Sequence, residues 1–404
     1  MGFKKVFYSF SFCFFLFGFS ETNIYALSRI EANTNPTKKI EHGFSLNFRP
    51  VFLIPTNSFF RGTNIMEHPM RTSISGHVQY AFRFTQATDL GQLYPDAYQG
   101  IGLSYHTFYN RSELGNPLTL YVFHGAPIYK FHSKFSINYE WNFGASFGWH
   151  PYHETDNPNN TVVGSRINAY LNVGILFNWQ LNSSCHIGAG LDLTHFSNGN
   201  THDPNVGVNT IGMRMGLIYF WGNHSVRPLF RTQLTEVAEA QRHLSYDLMC
   251  YAAPRAKAFL YEGNPYLVPG YFCVLGLQFA PMYRWNQNWK TGVSLDLQYD
   301  ESANVQNYVG EKDESGILKF YRPPFTEQFA VGLSVRSELT MPVFSINAGF
   351  GWNVFHRSDD MSGFYQVLAL KTSITRNFYL HIGYQLSRFS RPDHLMLGVG
   401  FRFL

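Results

Sequence analysis

Leu191-Asp-Leu-Thr-His-Phe-Ser-Asn-Gly-Asn-Thr-His-Asp-Pro-Asn-Val-Gly-Val-Asn209 is the stretch whose reading decides the fold. Leading into it, Ile187, Ala189, Leu191 and Leu193 alternate with Gly188, Gly190, Asp192 and Thr194, the period of a strand with one apolar face. The same parity carries His195 and Ser197 on the apolar side, roughly 7 Å apart between Cα atoms. A polar loop over about residues 198–208 follows. Beyond it Ile211, Met213, Met215 and Leu217 alternate with Gly212, Arg214 and Gly216, and Asn209 shares the apolar parity. One hairpin therefore gathers a His, a Ser and an Asn on its greasy face. That placement suits an enzyme working on lipid.

Working outward, the alternation recurs. Phe44, Leu46 and Phe48 interleave with Ser45, Asn47 and Arg49; Val293, Leu295, Leu297 and Tyr299 with Ser294, Asp296 and Gln298. Phe329, Val331, Leu333 and Val335 interleave with Gly332, Ser334 and Arg336, and the chain ends on Leu395, Leu397, Val399, Phe401 and Phe403. About fourteen to sixteen such segments are expected, antiparallel because most connections are short. The fold class read from this is all-β, an antiparallel transmembrane β-barrel, either one large barrel or two eight-stranded halves. Composition agrees: 45% hydrophobic and 18% aromatic but only 14% charged, with a mean hydropathy of −0.17. Alternation dilutes the apolar signal, and aromatics supply the interfacial girdles of such barrels. The net charge of +4 is too small for this length to imply nucleic acid.

Residues 1–26 read as a secretory signal peptide: Lys4 and Lys5, an apolar run from Val6 to Phe19, and Ala26 at the cleavage point. The mature chain keeps Cys185, Cys250 and Cys273, which allow at most one disulfide and have no metal-ligand spacing. The site-bearing segment counts as the seventh strand. With a periplasmic N-terminus, the loop 198–208 and the polar stretch from Glu301 to Pro324 then lie outside, and the short connections Asn182–Ser184 and Arg376–Asn377 inside.

Two echoes suggest an internal duplication joined at about Gly222 to His243. Phe135-Ser-Ile-Asn138 recurs as Phe344-Ser-Ile-Asn347. His186-Ile-Gly188 before Leu193-Thr-His-Phe-Ser197 recurs as His381-Ile-Gly383 before Leu386-Ser-Arg-Phe-Ser390, where Arg388 replaces the His. The halves are residues 27–222, carrying the site, and 223–404, ending in the terminal strand.

A Ser hydroxyl becomes a nucleophile when a neighbouring His takes its proton and a third group fixes the imidazole. Ser197, His195 and Asn209 fill those places. Asn198 and Asn205, with backbone N–H groups near Gly199 and Gly207, are the candidates for stabilising an oxyanion. His202 with Asp203 reads as a solvated loop pair rather than a metal site; no metal or cofactor is expected. Met213 and Met215 read as lipid-facing, Arg214 and Arg336 as interior, and Trp141 and Trp149 as aromatic-belt residues.

His195-x-Ser197-Asn198 followed by Pro204-Asn205-x-Gly207-x-Asn209 resembles the signature of the PagL-type lipid A deacylases, or acyloxyacyl hydrolases. The resemblance covers about residues 42–222 and implies an outer-membrane β-barrel that removes an ester-linked acyl chain from lipid A with a lipid-facing Ser–His–Glu triad. It implies Ser197 as nucleophile, His195 as base and Asn205 as oxyanion contributor. It also implies lipid A or a related glycolipid as substrate, the cell outer membrane as location, and the barrel-assembly machinery as reader of the last strand. Asn209 stands where the family has Glu. An amide holds the imidazole in one tautomer without stabilising its cation; Asp203 or Asp192 is the alternative carboxylate, although Asp192 has interior parity. The expectation is a carboxylic ester hydrolase. The competing readings are a passive channel, which a sixteen-stranded lumen would allow, and a structural barrel with a decayed site.

Overall fold

The computed structural model describes residues 39–199, 201–221, 242–261, 264–312, 318–387 and 391–403. The signal-peptide segment, most of the joint at 222–243 and Arg388 to Ser390 lie outside the described residues.

Among the described residues sixteen strands form two closed antiparallel barrels of eight, resolving the choice between one large barrel and two halves. The first comprises β1 (Ile40–Leu53), β2 (Thr72–Phe84), β3 (Tyr98–Thr107), β4 (Gly115–His132), β5 (Phe135–Trp149), β6 (Ile167–Gln180), β7 (Cys185–Ser197) and β8 (Val208–Trp221), with β8 closing on β1. Helix α1 (Ser58–Arg61) lies in the β1–β2 connection and α2 (Asp89–Leu93) in the β2–β3 connection. Next come β9 (Leu244–Arg255) and a loop hairpin of β10 (Ala258–Tyr261) and β11 (Asn264–Leu267). β12 (Phe272–Arg284) and β13 (Trp289–Asp300) follow, then a second loop hairpin of β14 (Val309–Lys312) and β15 (Leu318–Phe320). The second barrel is completed by β16 (Phe329–Thr340), β17 (Phe344–Phe355), β18 (Gly363–Ser373), β19 (Phe378–Ser387) and β20 (Arg391–Phe403), which closes on β9. Connections leaving odd-numbered positions in each barrel are mostly long, and those leaving even positions mostly short, the asymmetry of barrels inserted from one side.

Burial is inverted relative to a water-soluble sheet. Phe44, Leu46 and Phe48 on β1 are exposed, whereas Ser45, Asn47 and Arg49 between them are buried in the lumen. Buried charges need partners, and both lumens supply them. In the first barrel Arg214 Nη1 lies 2.7 Å from Glu140, and Arg49 lies 3.1 Å from Asp192. In the second, Glu338 meets Lys371 at 2.7 Å, Arg402 at 3.1 Å and Lys290 at 3.3 Å, while Arg336 bonds Asp296 at 2.9 Å. Arg214 and Arg336 are thus interior, as the alternation requires.

One end of the first lumen is closed by an apolar plug. Phe59 and Phe60 of α1 pack there with Phe108, Trp149, Val162, Phe196 and Val208. Trp149 is accordingly not a belt residue: it is 3% exposed and donates its indole N–H to the Ser146 hydroxyl at 2.8 Å. Trp141 departs from the belt as well. Its ring packs on His124 and on Phe344 of the second barrel, because this part of β5 faces a protein neighbour rather than solvent or lipid.

The sequence echoes fall on matching strands. Phe135 opens the fifth strand of the first barrel and Phe344 the fifth of the second. His186 and His381 both lie buried on the seventh. Two closed barrels with the same strand order and echoes at equal positions fit a duplicated unit.

Candidate active site

The β7–β8 ladder sets His195 directly opposite Asn209, with Thr194 opposite Thr210 on the other face. Residues paired across an antiparallel ladder project from the same side. His195 and Asn209 therefore share the outer face with Leu191, Leu193, Ile211 and Met213, all exposed. Met215 is exposed too. His195 Nδ1 lies 2.7 Å from Asn209 Oδ1. An amide oxygen only accepts, so Nδ1 donates to it, and in the neutral ring this leaves the Nε2 lone pair to act as the base.

Ser197 ends β7 on the same face. Its partner on β6 is Ala169, whereas that of His195 is Leu171. The small side chain beside Ser197 leaves its hydroxyl approachable from the outer side, and among the described residues that hydroxyl has no hydrogen-bond partner. Between the two lies Phe196, which points inward and packs against Trp149, Tyr170 and His106 with ring centroids 5.1–5.3 Å apart. That aromatic anchor fixes the strand end from which His195 and Ser197 project.

Gly207 supplies the remaining space. Its φ of +77° is in the left-handed region, and a Cβ there would lie 2.7 Å from the Phe196 carbonyl oxygen, 3.1 Å from His195 Cε1 and 3.6 Å from Ser197 Cβ. Only glycine satisfies both demands. Its N–H donates to the Val162 carbonyl at 3.1 Å, so that group is committed to the β5–β6 connection.

Asn198 and Asn205 are brought together but differ in use. The Asn198 N–H donates to Asn205 Oδ1 at 2.9 Å. The Asn198 side chain is buried and works as a staple: Nδ2 donates to the His202 carbonyl at 2.7 Å, and Oδ1 accepts from the Thr201 N–H at 3.1 Å. With Oδ1 turned to the backbone, Asn205 presents an Nδ2 amide that has no partner among the described residues. Gly199 adopts φ +65° and is buried.

Neither alternative carboxylate reaches His195. Asp192 is in the lumen with Arg49. Asp203 is in the loop, where burial raises its pKa and the neighbouring His202 lowers it. His202 itself is held below the ordinary histidine range by burial, partly offset by Asp203. It is less solvated than expected: Nε2 meets the Tyr271 hydroxyl at 2.6 Å and Nδ1 the Thr201 hydroxyl at 3.2 Å. Among the described residues no group of His, Cys, Asp and Glu has metal-site geometry. Cys185, Cys250 and Cys273 are free thiols.

The residues singled out in the sequence, Ser197, His195, Asn209, Asn198, Asn205 and Gly199, lie together at the end of the β7–β8 hairpin. Beside them the structure places Ala169 and Val162, from a neighbouring strand and loop, and Tyr271, which precedes β12. Nothing local in the sequence marks these three.

Several outer-membrane proteins align with the chain, all loosely. Omp33 of Acinetobacter baumannii covers 91% of this chain and 99% of its own at 9% identity, with a TM-score of 0.16. CdiB of the same organism covers 91% and 60% at 10% identity, with a TM-score of 0.19. A triple mutant of the Rhodopseudomonas blastica porin covers 90% and 100% at 9% identity, with a TM-score of 0.16. At these scores the likeness carries no argument. No curated protein matches the chain. Two family models do: residues 74–217 match lipid A 3-O-deacylase (PagL), and residues 244–404 match the C-terminal domain of acyloxyacyl hydrolase. The first match spans the His195–Ser197 hairpin and the second the whole second barrel, so the chain belongs to the PagL family of lipid A deacylases.

Proposed function

We propose that this protein is a serine ester hydrolase of the outer membrane that removes an ester-linked acyl chain from lipid A or a related glycolipid. The observation that carries the reading is the 2.7 Å His195–Asn209 bond beside Ser197 on an apolar outer face. A substrate whose acyl chains lie in the bilayer reaches that face without leaving the membrane.

The chemistry follows from the groups present. Ser197 Oγ attacks the ester carbonyl carbon while His195 Nε2 takes the hydroxyl proton. The tetrahedral oxyanion is met by the uncommitted Asn205 amide and the Gly199 N–H. Collapse breaks the bond to the sugar oxygen, which receives the proton from His195, and leaves the acyl group on Ser197. Water then attacks the acyl-enzyme with His195 again as base, releasing a fatty acid and restoring the serine. Asn209 orients the ring throughout but adds no charge to stabilise the imidazolium, so catalysis is slower than with a carboxylate.

The chain's location and route follow the same reading: export by residues 1–26 and insertion directed by β20. The channel reading loses its premise, because it needed a single barrel of about sixteen strands, and eight strands give an interior that side chains fill.

The test is mass spectrometry of lipid A after incubation with the folded protein and with Ser197→Ala. Loss of one acyl chain with the wild type alone is expected, the 3-O position named in the family description being the first to examine. An unchanged mass with the wild type in a lipid-accessible preparation would sink the reading.

A further inference from the structure

The site loop, 198–207, has two arms held from different places. Its far arm is pinned by its own barrel: the Gly207 N–H bonds Val162, and Gly164 packs on Asp203 and Pro204. Its near arm meets the second barrel at two points. A Cβ built on Gly199 would lie 2.8 Å from Cγ of Leu395 on β20, so Leu395 sits against the loop backbone where glycine leaves room. Tyr271, just before β12, places its hydroxyl 2.6 Å from His202 Nε2, with the rings 5.3 Å apart in an edge contact.

These two contacts converge on Asn198. Gly199 is its chain neighbour, and the His202 carbonyl accepts its side-chain amide. Asn198 in turn follows Ser197 and holds Asn205 through its backbone N–H. Leu395 thus bears directly on Gly199, and Tyr271 reaches Asn205 through His202 and Asn198, while neither touches Ser197 or His195.

We propose that the second barrel is a positioning element for the hydrolytic site, with Leu395 and Tyr271 holding the near arm so that Asn205 and Gly199 face the Ser197 hydroxyl. The inference rests on the reading of Ser197 as the nucleophile. It gives the second barrel a role in the reaction of the first, although in its sequence Arg388 stands where the first barrel has His195.

The test uses the full chain in lipid micelles, with Tyr271→Phe, Leu395→Ala and Leu395→Met. Amide hydrogen exchange over 198–207 is read beside kcat and KM on lipid A. Tyr271→Phe and Leu395→Ala are each expected to speed exchange in 199–202, to leave 203–207 unchanged, and to lower kcat roughly three- to tenfold at constant KM. Leu395→Met, which keeps volume, restores both. Exchange and kcat unchanged in both loosening variants would overturn the proposal. Wild-type protein inactive on lipid A removes the hydrolase reading alone; the exchange measurement still decides whether the second barrel holds the loop, and unaltered exchange overturns it.

Discussion

Across the β7–β8 ladder His195 and Asn209 face one another with Nδ1 2.7 Å from Oδ1, on the side of the barrel where Leu191 and Met213 are exposed. The amide fixes the tautomer, and a carboxylate would also stabilise the imidazolium. Asn209→Glu is therefore expected to raise the deacylation rate by roughly tenfold or more. Initial rates on lipid A decide it, and an unchanged or lower rate counts against the assigned role of Asn209.

Gly207→Ala is expected to injure the site more than the fold. The new methyl at φ +77° would sit 2.7 Å from the Phe196 carbonyl oxygen and 3.1 Å from His195 Cε1, so beyond a backbone strain of about 1–2 kcal/mol the end of β7 carrying His195 and Ser197 must shift. A kcat loss of roughly tenfold with little change in Tm is the expected outcome. Thermal unfolding alongside steady-state kinetics separates the two effects.

The filled lumens predict no solute flux. Arg49, Tyr121 and Tyr170 are fully buried in the first barrel, and Lys290 with Glu338 in the second. Vesicles carrying the protein should neither swell in sugar solutions nor show stepwise conductance; either signal would restore the channel reading.

Glu338 is a shared anion for Lys290, Lys371 and Arg402, and Asp247 is a second carboxylate for Lys371 and Arg402, so the buried charges offset one another as a network. Glu338→Gln should destabilise the second barrel by on the order of 3–5 kcal/mol, since it takes from Lys290 the carboxylate it pairs with, while Lys371 and Arg402 keep Asp247. Denaturant unfolding followed by tryptophan fluorescence measures the shift, and an unaltered midpoint would count against the network.

The loop should loosen on acidification. Burial depresses the pKa of His202, so the folded loop prefers neutral imidazole. The loop's stability is then complete above the ordinary histidine value of 6.5 and is lost as pH falls below it. Of the groups facing this ring, Asp203 opposes the trend, while the Tyr271 and Thr201 hydroxyls accept or donate in either state. Protection factors over 198–207, that is exchange relative to the intrinsic rate at each pH, should fall between pH 7.5 and 5, and a His202→Gln variant should flatten the response.

Much of this was written in local pattern. Alternation of Leu191 and Leu193 with Asp192 and Thr194 states which side of a strand meets lipid, because successive side chains must point oppositely. Once that parity is known, His195, Ser197 and Asn209 fall on one face without further information. Trp149 and Trp141 were misread for the same reason in reverse. Parity and an aromatic ring do not say whether the surroundings are lipid, an apolar plug or another barrel.

The sequence by itself determined the strands, their inward and outward faces, the seventh-strand position of the site and the family signature, all of which depend on neighbours within a few residues. Tertiary structure alone decided that sixteen barrel strands close as two rings of eight. Closure depends on which strand end meets which: Val51 of β1 meets Gly212 of β8, and Val399 of β20 meets Cys250 of β9. It alone also set Ala169 beside Ser197, and Leu395 and Tyr271 against the site loop. Those contacts join residues far apart in the chain, and nothing short of packing brings them together.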